Sequence, residues 1–225
     1  MSNVYVEPSR ELTVEAECDI LVVGGGAAGH SAAVAAARAG AKNIILLERY
    51  GYMGGDVTGG YVIMVPNLSW YNKSFVRGLQ EEWFTRLDKI PGAVYAPSLD
   101  EIDNTDPGLL HPWKSHQDCV SREGYGGCKP ACLVRSVYFE PNQLKIELDK
   151  MLLEHKDAIT VMCHSWGTRP IVENGTVKGV IYESKEGRKA ILAKVVIDAT
   201  GDGDLYRQTG TPFESMADQV TRANT

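Results

Sequence analysis

An α/β fold built on a parallel sheet is what this sequence predicts, and three observations predict it. An apolar run, Ile20-Leu-Val-Val23, leads straight into Gly24-x-Gly26-x-x-Gly29, and the hydrophobic period then changes from that of a strand to that of a helix. An alanine-rich stretch connects this turn to a second apolar run, Ile44-Ile-Leu-Leu47, closed by Glu48. Far downstream a third run, Val195-Val-Ile-Asp198, enters another glycine-rich turn, Ala199-Thr-Gly-Asp-Gly-Asp204. Short buried strands alternating with helical segments are the pattern of a parallel sheet with crossover helices.

The first turn has the chemistry of a dinucleotide site. Gly24 permits a tight turn, Gly26 lets the backbone approach a diphosphate, and Gly29 lets the helix lie close on the sheet. The helix start offers unpaired N–H groups and the positive end of its dipole to that anion. Ala27, Ala28, Ala32, Ala33, Ala35, Ala36, Ala37 and Ala39 are strong helix formers of little bulk, and Gly40 is the expected stop. Glu48 falls 19 residues past Gly29, where an acid meets a ribose hydroxyl. Strand, glycines, helix, strand and acid in that order are more specific than a glycine triplet alone. The competing reading, a buried βαβ unit with no ligand, leaves three glycines and Glu48 without a purpose.

An acid at Glu48 disfavours a 2′-phosphate and so argues against NADP. NAD and FAD both carry adenosine and a diphosphate, and the segment after Glu48 separates them. A nicotinamide domain runs on into a further crossover helix. Here the chain opens into Arg49-Tyr-Gly-Tyr-Met-Gly-Gly-Asp56-Val-Thr-Gly-Gly60, too rich in glycine for a helix and suited to running close along an extended ligand.

The glycine motif, the Glu48-Arg49 pair, the Gly54-Gly55 doublet and the Val195–Asp204 strand and turn together resemble the FAD-dependent oxidoreductases of glutathione-reductase-type fold. Within them the sequence is most similar to the group ending its first FAD half in "IDATGDGD", and more distantly to fumarate reductase flavoproteins. The resemblance spans roughly residues 18 to 215 and is weak between 92 and 135. It implies a Rossmann-like FAD-binding domain: a parallel sheet, an antiparallel three-stranded meander and an inserted cap-like segment. By the same resemblance Gly24, Gly26, Ala27, Ala28 and Gly29 line the pyrophosphate, and Glu48 binds the adenosine ribose. Arg49 sits beside the adenine, Gly54 and Gly55 run along the ribityl side, and Ala199, Thr200 and Gly201 pass near the adenine and pyrophosphate. The backbone at His164 and Ser165 flanks the adenine. For Asp202 and Asp204 two readings stand, closing the turn or capping the next helix, and ligand contact.

The remaining elements follow in order. Residues 1 to 17 form an arm in which Val4 and Val6 alternate with polar neighbours, as in an edge strand. Phe75, Leu79, Trp83, Leu87 and Ile90 recur every three to four residues, an amphipathic helix ended by Pro91-Gly92. Residues 92 to 135 lack any period. A loop of that length in a compact domain is usually functional or disordered. Its His111, Trp113, Lys114, His116 and Arg122 suit a substrate cap, although either histidine taken alone reads as a solvated loop residue. Pro141 opens a helix with one apolar face at Leu144, Leu148, Met151 and Leu152. A strand at Ile159–Cys163 precedes the meander: Pro170–Glu173, the Asn174-Gly175 turn, Val177–Tyr182, a Glu186-Gly187 turn and Ala190–Leu192, feeding into Val195–Asp198. The expected domain is 1–225, with a discontinuous core at 18–66 and 137–215 and an insertion at 67–136.

Composition sets the outer bounds. With 44 % apolar and 23 % charged residues the chain is an ordinary globular one, and 225 residues suffice for one sizeable core. A net charge of −6 argues against a nucleic-acid surface. No apolar run reaches the length of a membrane span, and the first seventeen residues lack a signal peptide's basic start and apolar centre, so the expected location is the cytoplasm. Five cysteines without a secretory signal imply reduced thiols. Cys119, Cys128 and Cys132 would need a fourth ligand, Cys18, Cys163 or His116, for an iron–sulfur or zinc site, and no familiar spacing supplies one; a redox thiol near a flavin stays open without a CxxC pair.

The expected function is hydride transfer between a small organic substrate and FAD. His111, His116, Tyr125 and Arg135 are the acid–base candidates because they lie in or beside the cap-like stretch. Only 22 residues follow Gly203, whereas the resembling proteins continue for a comparable length over the isoalloxazine. Three readings follow: a fragment, one chain of a processed or split flavoprotein, or a reduced domain that only binds FAD. The favoured expectation is the second, a hetero-oligomer in which another polypeptide completes the flavin site. A non-catalytic FAD-binding or regulatory subunit and an NAD module are the alternatives from other classes.

Overall fold

The computed structural model describes residues 4–65, 69–70, 73–74, 76–95 and 137–214. In chain order these form β1 (Val14–Val23), α1 (Ala27–Arg38), β2 (Ile44–Leu47), β3 (Met64–Val65), β4 (Ser69–Trp70), β5 (Lys73–Ser74), α2 (Leu79–Leu87), β6 (Val94–Tyr95) and β7 (Val137–Phe139). There follow α3 (Pro141–Leu153), β8 (Ile159–Met162), β9 (Ser165–Glu173), β10 (Thr176–Ser184) and β11 (Gly187–Asp198). Single 3-10 turns stand at Gly55–Val57 and Tyr206–Thr209. The chain divides into two compact units, one of Met1–Tyr52 with Glu154–Ala223 and the other chiefly Met53–Leu153.

The first unit is a six-stranded sheet in the order β8-β2-β1-β11-β10-β9. The first four strands are mutually parallel, and β10 is antiparallel to both β11 and β9. This is the parallel-rich α/β arrangement the sequence predicts, with one difference in detail. The third strand of the meander and the strand ending at Asp198 are a single twelve-residue strand, β11. Its first half pairs antiparallel with β10, and from Ala190 onward it pairs parallel with β1. Asn174 (φ 49°) and Gly175 (φ 74°) both take the left-handed conformation that a two-residue hairpin demands.

The central strands are buried on both faces, which is why they read as continuous apolar runs. Cys18, Leu21, Val23, Ile45, Leu47, Val180, Tyr182, Ile191 and Leu205 make one cluster. Val22, Ile44 and Leu46, which alternate with these, are buried as well, and α1 packs on β1, β2 and β11 with Gly29, His30, Ala33 and Val34 inward. Each fully buried Leu or Ile contributes about 1.5–3 kcal/mol.

The N-terminal arm differs from its expectation. Val4 and Val6 are 78 % and 79 % exposed and belong to no strand; pairing begins only at Val14. Pro8, which has no N–H to give a ladder, separates them from that strand. Side-chain ion pairs of Glu7 with Arg188 and Lys189 with Glu15 tie the arm and early β1 to β11 instead.

In the second unit β3, β7 and β6 form a small antiparallel sheet, and β4 pairs with β5. The amphipathic helix is α2, with Trp83, Phe84 and Leu87 buried; Phe75 lies outside the described residues. It packs on α3, whose buried positions include Leu144, Leu148, Met151 and Leu152. Pro141 is the first helical residue, and Glu140 Oε2 accepts the Gln143 N–H at 2.6 Å as the cap.

Candidate cofactor site

Three adjacent parallel strands end at one level. Val23 is in register with Leu47 on one side and Asp198 on the other, so Gly24, Glu48 and Ala199 are the next residue of each. Backbone bonds continue the ladder one step past the strands: Gly24 N–H to Leu47 O at 2.8 Å and Ala199 N–H to Val23 O at 2.9 Å. β1 has α1 and β2 following on one side and β11 arriving on the other. That is the switch in strand order where open α/β sheets bind ligands, beyond the carboxyl ends of the strands.

The three motif glycines have different causes. A β-carbon on Gly24 (φ +100°) would run into the Ala199 carbonyl, and one on Gly29 into the Gly24 carbonyl oxygen. Both are therefore demanded by the protein's own packing. A β-carbon on Gly26, whose φ of −63° any residue adopts, would meet nothing within 4 Å. Among the described residues no atom explains that glycine. Gly26 also caps α1, which has no side-chain cap and no acid in its first turn. A helix start in that condition is a fitting seat for an anion.

Glu48 is 5 % exposed. Its carboxylate Oε2 accepts the Gly25 N–H at 2.6 Å and Oε1 accepts the Tyr50 N–H at 2.7 Å. With Gly24 bonded to Leu47 and Gly25 to Glu48, the amides left for a ligand are those at the start of α1. Arg49 and Tyr50 are exposed; the Arg49 guanidinium lies 4.7 Å from the Tyr50 ring centroid, and Tyr50 stacks flat on Tyr52 at 5.4 Å. His164, at φ 54°, donates its N–H to Tyr50 O and sets its ring beside Gly51, while Ser165 donates to Glu48 O.

The turn after β11 is organised by Asp198. Its Oδ1 accepts from Thr200 N–H (3.1 Å) and Thr200 Oγ1 (2.7 Å), and its Oδ2 from Leu205 N–H (3.0 Å) and Tyr206 N–H (2.8 Å). Thr200 Oγ1 accepts the Asp204 N–H at 2.9 Å. The side chain that caps this segment is thus Asp198, and Asp204 joins through its backbone. Gly201 has φ +92°.

The comparisons with known proteins agree with this geometry. A family model described as FAD dependent oxidoreductase matches residues 19–224. The chain belongs to that family. FAD is accordingly its cofactor. The urocanate reductase of Eggerthella lenta is 48 % identical over 91 residues, 40 % of this chain and 12 % of that protein. Among solved structures, the p-nitrophenol 4-monooxygenase PnpA of Pseudomonas putida has a TM-score of 0.54 at 13 % identity, covering 89 % of this chain and 45 % of that one. An L-proline dehydrogenase from P. horikoshii has a TM-score of 0.54 at 15 % identity, covering 90 % and 58 %. At such identities the likeness is one of fold. The chain spans less than two thirds of each of these proteins.

The structure brings together Gly24, Gly26, Ala27, Ala28, Gly29, Glu48, Arg49, Ala199, Thr200 and Gly201, all in the first unit. Gly54 and Gly55 lie in the second. There Gly54 (φ +103°) faces Thr58, whose hydroxyl donates to Met53 O at 2.6 Å, so its lack of a side chain already has a packing cause. Asp198 and the amides of Gly25 and Tyr50 escaped the sequence reading. An acid directly before Ala-Thr-Gly was the available signal, since Asp two residues ahead of a turn is a cap. His111, Trp113, Lys114, His116, Cys119, Arg122, Tyr125, Cys128, Cys132 and Arg135 lie outside the described residues. Among the described residues no cluster of three or more His, Cys, Asp or Glu could hold a metal, and no helix is long and apolar enough to cross a membrane.

Proposed function

We propose that the chain supplies the FAD-binding part of an oxidoreductase in which hydride passes between a small organic substrate and the flavin. The observation that carries this is Gly26: a glycine at the carboxyl end of three adjacent strands, needed by no contact among the described residues, at a helix start that none of their side chains caps. In this reading Gly26, Ala27, Ala28 and Gly29 seat the diphosphate against the α1 amides, and Gly24 shapes the turn behind them. Glu48 takes the adenosine ribose hydroxyls, and Arg49 borders the adenine. Ala199, Thr200 and Gly201 bound the opposite wall. FAD supplies the redox chemistry, while these residues bind and orient it.

The substrate is an activated alkene acid of the urocanate type, a choice supported by the urocanate reductase match alone. A second polypeptide completing the flavin site is part of the proposal. The purified protein should be yellow and release FAD on denaturation. Its flavin, reduced with dithionite under anaerobic conditions, should be reoxidised by urocanate. Nicotinamide released in place of FAD would end the cofactor reading. FAD that no substrate reoxidises, even in a native complex larger than 24.6 kDa, would favour the non-catalytic subunit.

A further inference from the structure

Every polar group of Glu48 is engaged within the protein. Its N–H donates to Met162 O and its carbonyl accepts from Ser165, each at 2.9 Å, which fixes the residue to β8 and the start of β9. Its two carboxylate oxygens reach in opposite directions along the chain. One takes the Gly25 amide, 23 residues earlier, and the other the Tyr50 amide, two residues later. At 2.6 and 2.7 Å both have the length of charge-assisted bonds. The turn they hold contains Gly24 in a left-handed conformation, and its next residues are Gly26 and the first amides of α1.

We infer that Glu48 is a positioning residue for the glycine turn, independently of any sugar it meets. Its carboxylate staples Gly25 to the exit of β2 and so presets the direction of the α1 amides before a diphosphate arrives. The cofactor part of this inference rests on the FAD reading above; the staple itself does not. The two roles coexist, because each carboxylate oxygen has a second lone pair for a hydroxyl donor. A carboxylate is needed rather than an amide. A glutamine at this position accepts through one oxygen only, and its NH2 group would face the other backbone N–H, donor against donor.

The two roles separate when the sugar loses its hydroxyls. ADP and 2′,3′-dideoxy-ADP are titrated calorimetrically into the wild-type chain and Glu48→Gln, both first freed of bound flavin. Amide spectra of both proteins are recorded without nucleotide. The staple predicts that Glu48→Gln weakens dideoxy-ADP roughly tenfold, the loss of one hydrogen bond to a charged group. It also predicts that the Gly25 amide proton moves upfield and exchanges faster. A residue acting through the sugar alone would leave dideoxy-ADP affinity equal in the two proteins, and that result overturns the inference whatever the amides do. If neither nucleotide binds the wild type, the FAD reading is what fails. The Gly25 amide then decides the staple, and an unchanged signal overturns it. Should Glu48→Gln not fold, Glu48→Asp replaces it with the same expectations, since it keeps the charge but is one methylene too short to span both amides.

Discussion

The Ala199 carbonyl occupies the space that a side chain on Gly24 would need, with its carbon 2.8 Å from where that β-carbon would stand. Two turns from opposite ends of the sequence are thereby pressed together at the ends of β1 and β11. This contact separates what the fold requires from what a ligand requires. Gly24→Ala forces backbone against backbone at a φ of +100° and should cost about 2 kcal/mol or more of stability. Gly26→Ala meets nothing among the described residues and should change stability by no more than about 0.5 kcal/mol. Flavin retention should nevertheless fall by an order of magnitude or more, because the new methyl stands where a diphosphate would approach. Urea unfolding with a parallel FAD titration checks both. A Gly26→Ala protein that holds FAD as well as the wild type would remove the diphosphate from this turn.

Asp198 offers an independent test of the facing wall. One carboxylate accepts two donors from Thr200 and two from the start of the 3-10 turn at Tyr206–Thr209. Asp198→Asn keeps the shape but turns an NH2 toward one of those pairs, an expected loss of about 1–3 kcal/mol. Thr200→Val removes the hydroxyl that bridges Asp198 to the Asp204 amide. Groups sharing one network couple, so the double variant should be less destabilised than the sum of the single ones by about 0.5 kcal/mol or more. Strict additivity in a denaturant cycle would mean that the two side chains act separately.

The strands, α1 and both glycine turns were legible because each is written locally. Ile44-Ile-Leu-Leu47 is a doubly buried strand, Ala27–Arg38 a small-residue helix, and Asn174-Gly175 a hairpin turn. What escaped depends on distances that no window contains. Glu48 reads as a ribose acceptor from its spacing, but its bond to the Gly25 amide exists only once β1 and β2 align in register. The continuity of β11 escaped for a similar reason. Lys194 and the polar residues before Ala190 look like interruptions, yet the strand changes partners from β10 to β1 along its length without breaking. The arm misled in the opposite way: alternation at Val4 and Val6 carries no information when none of the described residues supplies a second strand.

Cys18 yields a prediction in pH. Burial on β1 is the largest cause of a thiol pKa raised to about 11 from an ordinary 9.0; the neighbouring Asp19 charge adds to it, and a backbone hydrogen bond with Ile45 works against it. The neutral thiol is the form the folded state prefers. Below pH 9 the thiol is neutral in both folded and unfolded chains, and its contribution to stability is complete. Between about 9 and 11 the unfolded chain loses the proton while the folded one keeps it, so stability falls as pH rises through that window. Cys18→Ala removes this slope, and the difference between the two proteins isolates it from the lysines and tyrosines that titrate nearby. Urea midpoints for wild type and variant at pH 8, 9, 10 and 11 should converge toward high pH. The native thiol should also resist a disulfide reagent at pH 8, since the thiolate is the reactive form and burial withholds it. A gap between the two proteins that stays constant from pH 8 to 11 would show that Cys18 ionises in the folded protein as readily as in the unfolded chain.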